Sequence, residues 1–302
     1  MPSRLRRIEV LSSRDHTEKG LMSELDIRPV AGMGAEVHGL NLDAIDEGVA
    51  AQLTKALGDH LMLALPGLDP SLRGLRDIAT LFGTVDPVPY LDSVDPDVPE
   101  VISLDSMYQV KADLWHTDAT FLEQPPAIAL LHMVDCPSHG GDTMFIDGHA
   151  VHDSLSPAMQ GFLAGLTCIH DDARGDKSAE HPVVRTHPDT GRPALFVNKQ
   201  FSRRIPQLSR PESQMLLSYL FRWQEQVQFS ARWRWSPGDV VMWDERVTLH
   251  IMVNDTEGRR ELRRVSVLGD RPAAHAPGAI GEPFGLPKTA SSGFYGIGSY
   301  EF

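Results

Sequence analysis

Two cysteines in 302 residues, Cys136 and Cys168, are too few for a disulfide framework. They form no CxxC pair, and reduced thiols in the cytoplasm are the expectation. No apolar run reaches the ~20 residues of a membrane-spanning helix, and residues 1–19 lack the apolar core of a signal peptide. That charged, polar start reads as a disordered extension over residues 1–23, followed by one folded domain over residues 24–302. Excess basic charge is missing as well. The formal net charge is −13, so no nucleic-acid partner is expected, because such binding rests on basic patches that neutralise phosphates. Repeats and low-complexity tracts are absent. What is present, 41% hydrophobic and 23% charged residues, is the composition of an ordinary globular protein.

Residues 25–30 read as a short strand, and 32–42 as a turn and a second strand. Ile45, Val49, Leu53 and Leu57 recur at helical spacing. The apolar run 61–65, closed by Pro66-Gly67, reads as a buried strand, and residues 73–82 as another amphipathic helix. Helix, buried strand and helix in that order suggest a cap outside a β core. Ser156 and Pro157 open a helix to about residue 166 as N-cap and first helical residue, and Ser209 caps a longer one over 211–226. Pro188-Asp189-Thr190-Gly191 is a hairpin turn between strands at 183–186 and 194–197. Further strands are expected at 127–134, 229–235, 239–243 and 263–268. Many short strands with interspersed helices fit a mainly β fold with flanking helices, a double-stranded β-helix of the cupin-like jelly-roll kind.

The chemistry concentrates at Trp115-His116-Thr117-Asp118. His116 and Asp118 are two apart, so on an extended strand both side chains project from one face. With the remote His250 they make a 2-His-1-carboxylate set, which leaves three cis positions open on Fe(II) for a cosubstrate and O2. A lone His-x-Asp is common by chance in a chain with 13 histidines, so the surrounding residues must carry weight. Arg264 follows His250 in Arg264-Val265-Ser266-Val267, and a guanidinium fork pairs bidentately with a carboxylate. A closed structural zinc site would want four ligands, usually with cysteine, and neither cysteine is near the motif.

Five blocks appear in order: Asp113-Leu114-Trp115-His116-Thr117-Asp118-Ala119-Thr120-Phe121; Gly140-Gly141-Asp142-Thr143-Met144-Phe145; Leu195-Phe196-Val197-Asn198; Trp233-Arg234-Trp235-Ser236-Pro237-Gly238-Asp239; and Met242-Trp243-Asp244-Glu245-Arg246-Val247-Thr248-Leu249-His250. Together they resemble the taurine dioxygenase/TfdA family of Fe(II)- and 2-oxoglutarate-dependent dioxygenases, over residues 27 to 272. The resemblance implies the jelly-roll fold and makes His116, Asp118 and His250 the iron ligands. It makes Arg264 the partner of the 2-oxoglutarate C5 carboxylate, Thr143 a support of that same carboxylate, and Arg260 a second arginine nearer the iron-bound end. Asn198 and Arg204 fall where the family has a loop closing over the site, and either could contact substrate. Trp115 and Trp243 read as packing residues that keep the pocket dry, and Arg259 and Arg263 as solvent-facing. The implied reaction oxidises an unactivated C–H bond and yields succinate and CO2, with bond cleavage where the carbon bears oxygen, nitrogen or sulfur. An intact Asp118 favours hydroxylation over halogenation.

Sulfonate users of the family supply a histidine and a tyrosine after a Phe-Gly pair. Here Phe82-Gly83 is followed by Asp86 at about the histidine position and by Tyr90, and Ala112 stands where taurine users have an asparagine. The reading is therefore a small molecule other than taurine, with an amine or neutral polar group near Asp86 and Tyr90. The resemblance also implies a homo-oligomer, a dimer or tetramer. The rival is a non-catalytic jelly-roll protein that binds a metal or ligand, against which the pairing of Arg264 and Thr143 with the triad speaks.

Overall fold

The computed structural model describes residues 25–276, apart from 31, 43–44, 86, 88–92, 108–111 and 173. The expected N-terminal extension, and with it Asp86 and Tyr90, lie outside the described residues. In chain order the first part contains β1 (Asp26–Pro29), β2 (Ala35–His38), α1 (Glu47–His60), β3 (Met62–Leu65), α2 (Leu72–Thr80), β4 (Ser93–Asp95) and β5 (Val98–Asp105). The middle holds β6 (Ile128–Asp135), β7 (Thr143–Asp147), α3 (Gly148–Asp153), α4 (Pro157–Ala164), β8 (Thr167–Asp171), β9 (Ser178–Pro182), β10 (Val184–Thr186), β11 (Pro193–Leu195) and β12 (Ser202–Arg204). Then come α5 (Arg210–Gln224), β13 (Ser230–Trp233), β14 (Val240–Asp244), β15 (Thr248–Met252), β16 (Glu261–Val267) and β17 (Ala273–Ala274).

A period of two along the central strands builds the layers. Met62 and Ala64 of β3, Ala129 and Leu131 of β6, and Val241 and Trp243 of β14 face one way, into a core shared with Phe145 of β7. Their neighbours Leu63, Leu65, Leu130, Val240 and Met242 face the other way, onto Val49, Leu53 and Leu57 of α1 and Leu75 and Ile78 of α2. The eight-stranded sheet, in the order β1-β2-β3-β14-β6-β16-β5-β4, thus has helices on one face and the three-stranded sheet β13-β7-β15 on the other. The outer face of the small sheet, through Ile146 and Leu249, buries Leu163 of α4 and Leu216, Leu217 and Leu220 of α5. Each such fully buried apolar side chain contributes about 1.5–3 kcal/mol. Two sheets face to face with helices outside them are the jelly roll expected from the sequence.

Local signals account for the helix ends. Asp46 accepts the Val49 N–H at the start of α1, Ser156 accepts the Met159 N–H ahead of Pro157 in α4, and the Ser209 N–H donates to Glu212 at the start of α5. The hairpin of β10 and β11 forms as expected. Two expectations are corrected. β3 is no part of a cap: it lies between β2 and β14 in the middle of the large sheet, because four apolar residues in succession can be buried on both faces at once. Residues 116–118 do not form a strand either. His116 makes a single antiparallel bridge with His250, and the chain then turns at Ala119, which has a left-handed φ of 48°. Both cysteines are free among the described residues, and burial pushes the Cys168 thiol up to about 11.

Candidate active site

His116 and His250 are each other's backbone partners: the His116 N–H donates to His250 O at 3.1 Å and the His250 N–H to His116 O at 2.7 Å. That bridge fixes the imidazole centroids 4.1 Å apart. β15 carries His250 opposite Phe145 of β7, and the buried Trp243 ring lies 4.7 Å from the His250 ring. The packing role expected of Trp243 thus falls directly on His250. Trp115 is partly buried and packs toward the α3–α5 side. Beyond the bridge, the Thr117 hydroxyl donates to Thr248 O at 2.7 Å, and the Asp118 N–H donates to Glu245 Oε2 at 3.0 Å. The turn at Ala119 is strained for a residue with a side chain. It is held from behind by Thr120, whose Oγ1 is 2.9 Å from His170 Nδ1 and accepts from the Asn198 amide at 3.0 Å, and whose carbonyl is 2.9 Å from His181 Nε2.

Asp118 Oδ1 ends 3.5 Å from His116 Nε2 and 3.9 Å from His250 Nε2, and one ligand atom from each of the three residues lies within 4.8 Å of the others. Donor atoms this close would hold one divalent ion between them after a contraction of the site. The donor chemistry fits a divalent cation. His116 Nδ1 lies 2.7 Å from Leu114 O, and as donor there it leaves the Nε2 lone pair facing the gap. Burial and the neighbouring His116 hold the His250 imidazole well below its ordinary range, hence neutral. Burial alone would raise the Asp118 carboxyl, yet the Arg264 guanidinium and the two histidines hold it well below the usual range. Burial and the Asp118 charge push the adjacent Glu245 carboxyl well above its own.

The two arginines divide differently from the expectation. Thr143 is bonded to Arg260, not Arg264: Arg260 Nη2 donates to Thr143 Oγ1 at 3.0 Å and Nε to Gly141 O at 2.9 Å. Trp235 Nε1 donates to the same hydroxyl at 2.9 Å, which leaves the Thr143 hydrogen free to donate in turn. Arg260 is only 7% exposed, and among the described residues no carboxylate pairs with it. Burial pushes it down to about 10. Thr143 sits two residues along β7 from Phe145, about 7 Å from the level of His250, a span suited to a five-carbon diacid. Arg264 instead contacts Asp118 Oδ2 and donates to Ser266 Oγ. Leu262 faces the core between the sheets and Val265 and Val267 face the helices, so alternation turns Arg264 inward. Arg259 pairs with Asp105 and Glu261 at the surface. Arg263 is half-buried against Ser103 and Glu261 rather than solvent-facing.

Beside Asp118 and Arg264 opens a cavity of about 330 Å³, walled by Phe121, Leu122 and Phe201 and reached by Lys177. Neither Asn198 nor Arg204 lines it. Asn198 is buried, donating to Thr120 and accepting the Phe201 N–H at 2.8 Å, so it shapes the wall from behind. Arg204 is exposed at the end of β12. The sequence reading missed Glu245, Thr120, His170 and Trp235. Of these only Glu245 carried a signal, as a second carboxylate inside the block that ends in His250.

The description "Taurine catabolism dioxygenase TauD, TfdA family" belongs to a family model that matches residues 26–266. The chain belongs to the TauD/TfdA family. Among its relatives, an alpha-ketoglutarate-dependent sulfate ester dioxygenase of Pseudomonas putida is 32% identical, over 82% of this chain and 91% of that protein. An alkylsulfatase of Acinetobacter baylyi is 30% identical, over 82% and 86% respectively. The crystal structure of a taurine dioxygenase from Burkholderia xenovorans superposes with a TM-score of 0.77 at 30% identity, covering 83% of this chain and 93% of that one. This TauD/TfdA protein is accordingly an Fe(II)- and 2-oxoglutarate-dependent oxygenase that uses O2 as second cosubstrate. No helix among its described residues is long and apolar enough to cross a membrane.

Proposed function

We propose that His116, Asp118 and His250 hold the iron, that Arg260 and Thr143 grip the far carboxylate of 2-oxoglutarate, and that Arg264 faces a small organic anion. The observation carrying this reading is the buried Arg260 guanidinium, which has no carboxylate partner among the described residues and shares the Thr143 hydroxyl. A buried charge without a counter-ion is costly, and a ligand carboxylate relieves it. When bound, the iron and 2-oxoglutarate activate O2 for oxidation of an unactivated C–H bond, with release of succinate and CO2. The chain's own residues position and dry the site: Trp243 and Phe145 wall the His250 ring, while Phe121, Leu122 and Phe201 shield the cavity from water.

A cation at the triad takes up the Asp118 charge, which frees Arg264 to engage the substrate. An anionic head with an apolar body fits a cavity of that lining, and this reading differs from the amine or neutral polar group expected near Asp86 and Tyr90, which lie outside the described residues. Organic sulfate esters are the favoured class, supported by the two relatives named above. Oxidation at the carbon that bears the ester oxygen gives an unstable C–OH. Its proton leaves as the carbonyl forms, the C–O bond to sulfur's oxygen breaks, and its electron pair departs with sulfate. The same proposal includes one domain over residues 24–302, residence in the cytoplasm and a homo-oligomeric state. The test is anaerobic reconstitution with Fe(II) and 2-oxoglutarate, read by the visible charge-transfer band, followed by succinate release with a short alkyl sulfate, the parent alcohol and taurine. The alkyl sulfate is expected to drive succinate and sulfate release. Equal turnover of the parent alcohol would overturn the anionic-substrate reading.

A further inference from the structure

The two histidines of the triad are oriented by different means. His116 Nδ1 is fixed by the Leu114 carbonyl at 2.7 Å, whereas the buried His250 Nδ1 has no hydrogen-bond partner. Facing it at 3.9 Å is Glu245 Oε1, itself buried and without a partner. The other oxygen of the same carboxyl accepts the Asp118 N–H at 3.0 Å, and Glu245 as a whole is 0% exposed. One buried carboxyl group therefore touches the backbone of one triad residue and faces the idle ring nitrogen of another. Two buried polar atoms left unpaired and facing each other are unfavourable unless a small movement joins them. Closing the gap to the ordinary 2.7–3.2 Å takes about 1 Å.

We propose that Glu245 is a positioning residue of the metal centre, with Oε1 accepting the His250 Nδ1–H when Nε2 takes a metal and Oε2 keeping Asp118 in place. The proposal rests on His116, Asp118 and His250 being the metal ligands. An imidazole that ligates through Nε2 carries its hydrogen on Nδ1, so its neighbour must accept. A bound cation also offsets the Asp118 charge that opposes a second carboxylate here. Both duties of Glu245 are acceptor duties. A carboxylate meets both, while an amide meets one and turns its NH₂ against the other donor. Glu245→Gln, nearly identical in shape, separates this role from simple packing.

The experiment titrates metal-free protein with Mn(II) and, anaerobically, with Co(II), comparing wild type, Glu245→Gln, Glu245→Asp and His116→Ala. Glu245→Gln is expected to bind Mn(II) about 10–100-fold more weakly, the range for lost partners of ligating histidines. Its Co(II) ligand-field spectrum is expected to shift, with the metal-free unfolding midpoint near that of wild type. Glu245→Asp, with both acceptor oxygens on a shorter arm, recovers part of the affinity. Wild-type affinity and an unchanged Co(II) spectrum in Glu245→Gln would overturn the proposal and leave the triad standing. Wild-type protein that binds Mn(II) no better than His116→Ala would overturn the triad itself. Should Glu245→Gln not fold, NMR of ¹⁵N-histidine-labelled, Zn(II)-loaded wild type decides: an exchange-protected His250 Nδ1–H supports the role, and an unprotonated Nδ1 refutes it.

Discussion

Replacing Arg260 by lysine keeps a positive charge in the same place but removes the planar fork. The guanidinium holds Gly141 O at 2.9 Å and Thr143 Oγ1 at 3.0 Å with two different nitrogens, and its carbon lies 5.8 Å from the centroid of the Trp235 ring. A lysine ammonium reaches one of these acceptors and a ligand carboxylate, not the whole set. Losing one charge-assisted hydrogen bond costs about 1.5–3 kcal/mol, which is a roughly 10–150-fold rise in the KM for 2-oxoglutarate. Arg260→Ala leaves the ligand carboxylate buried and unpaired, a loss of about 3–5 kcal/mol and more than a hundred-fold in the same constant. Steady-state succinate formation, with 2-oxoglutarate varied at saturating substrate and then the reverse, separates the two constants. Arg264→Lys is the control: it is expected to raise the KM for the organic substrate and leave that for 2-oxoglutarate within a few-fold. An Arg260→Lys enzyme with wild-type KM for 2-oxoglutarate, or an Arg264→Lys enzyme that loses it, would show that the arginines have the opposite roles.

Acid stability follows from His170, which burial and the nearby His181 hold well below the ordinary histidine range. The unfolded chain takes up a proton near pH 6.5 where the folded one does not, so this contribution is present above that pH and declines below it, by up to about 1.4 kcal/mol per pH unit. Urea unfolding at pH 7 and 5.5 should show a smaller loss in His170→Gln than in wild type, and equal losses would count against it. Gly148→Ala tests packing under the site: an added Cβ would lie 2.5 Å from Val247 O and 3.2 Å from Leu195 O, both backbone atoms. A destabilisation of roughly 1–3 kcal/mol is expected, read as a midpoint drop of about 2–4 °C for each kcal/mol; an unchanged midpoint refutes the close approach.

Local chemistry made much of this fold legible in the sequence. Ser156 with Pro157, and Asp189-Thr190-Gly191 between apolar runs, act through their nearest neighbours, and the structure has the helix and hairpin they specify. The convergence of His116, Asp118 and His250 was legible too, by a route other than the expected one. His116 and Asp118 converge through one bridge and a left-handed turn at Ala119, not through a strand's period of two. The contact of Thr143 with Arg260 rather than Arg264 was out of reach, because both arginines share one face and only the packing of two separate sheets decides which lies beside Thr143. Glu245 was hidden for a different reason. Its meaning depends on atoms of Asp118, more than a hundred positions earlier, and no periodicity reports such a contact.

The bridge between His116 and His250 also sets when in the life of the chain the site can exist. The two segments are roughly 130 residues apart, and translation at about 5–20 residues per second separates their emergence by on the order of ten seconds. Throughout that interval the nascent protein carries only two of the three donors of the proposed site, both on one short segment. Only when β15 leaves the ribosome and pairs with β7 does the third donor arrive, by which time the core strands from β1 to β14 have been made. The order of synthesis thereby leaves the proposed metal site incomplete until the strands that enclose it have been made.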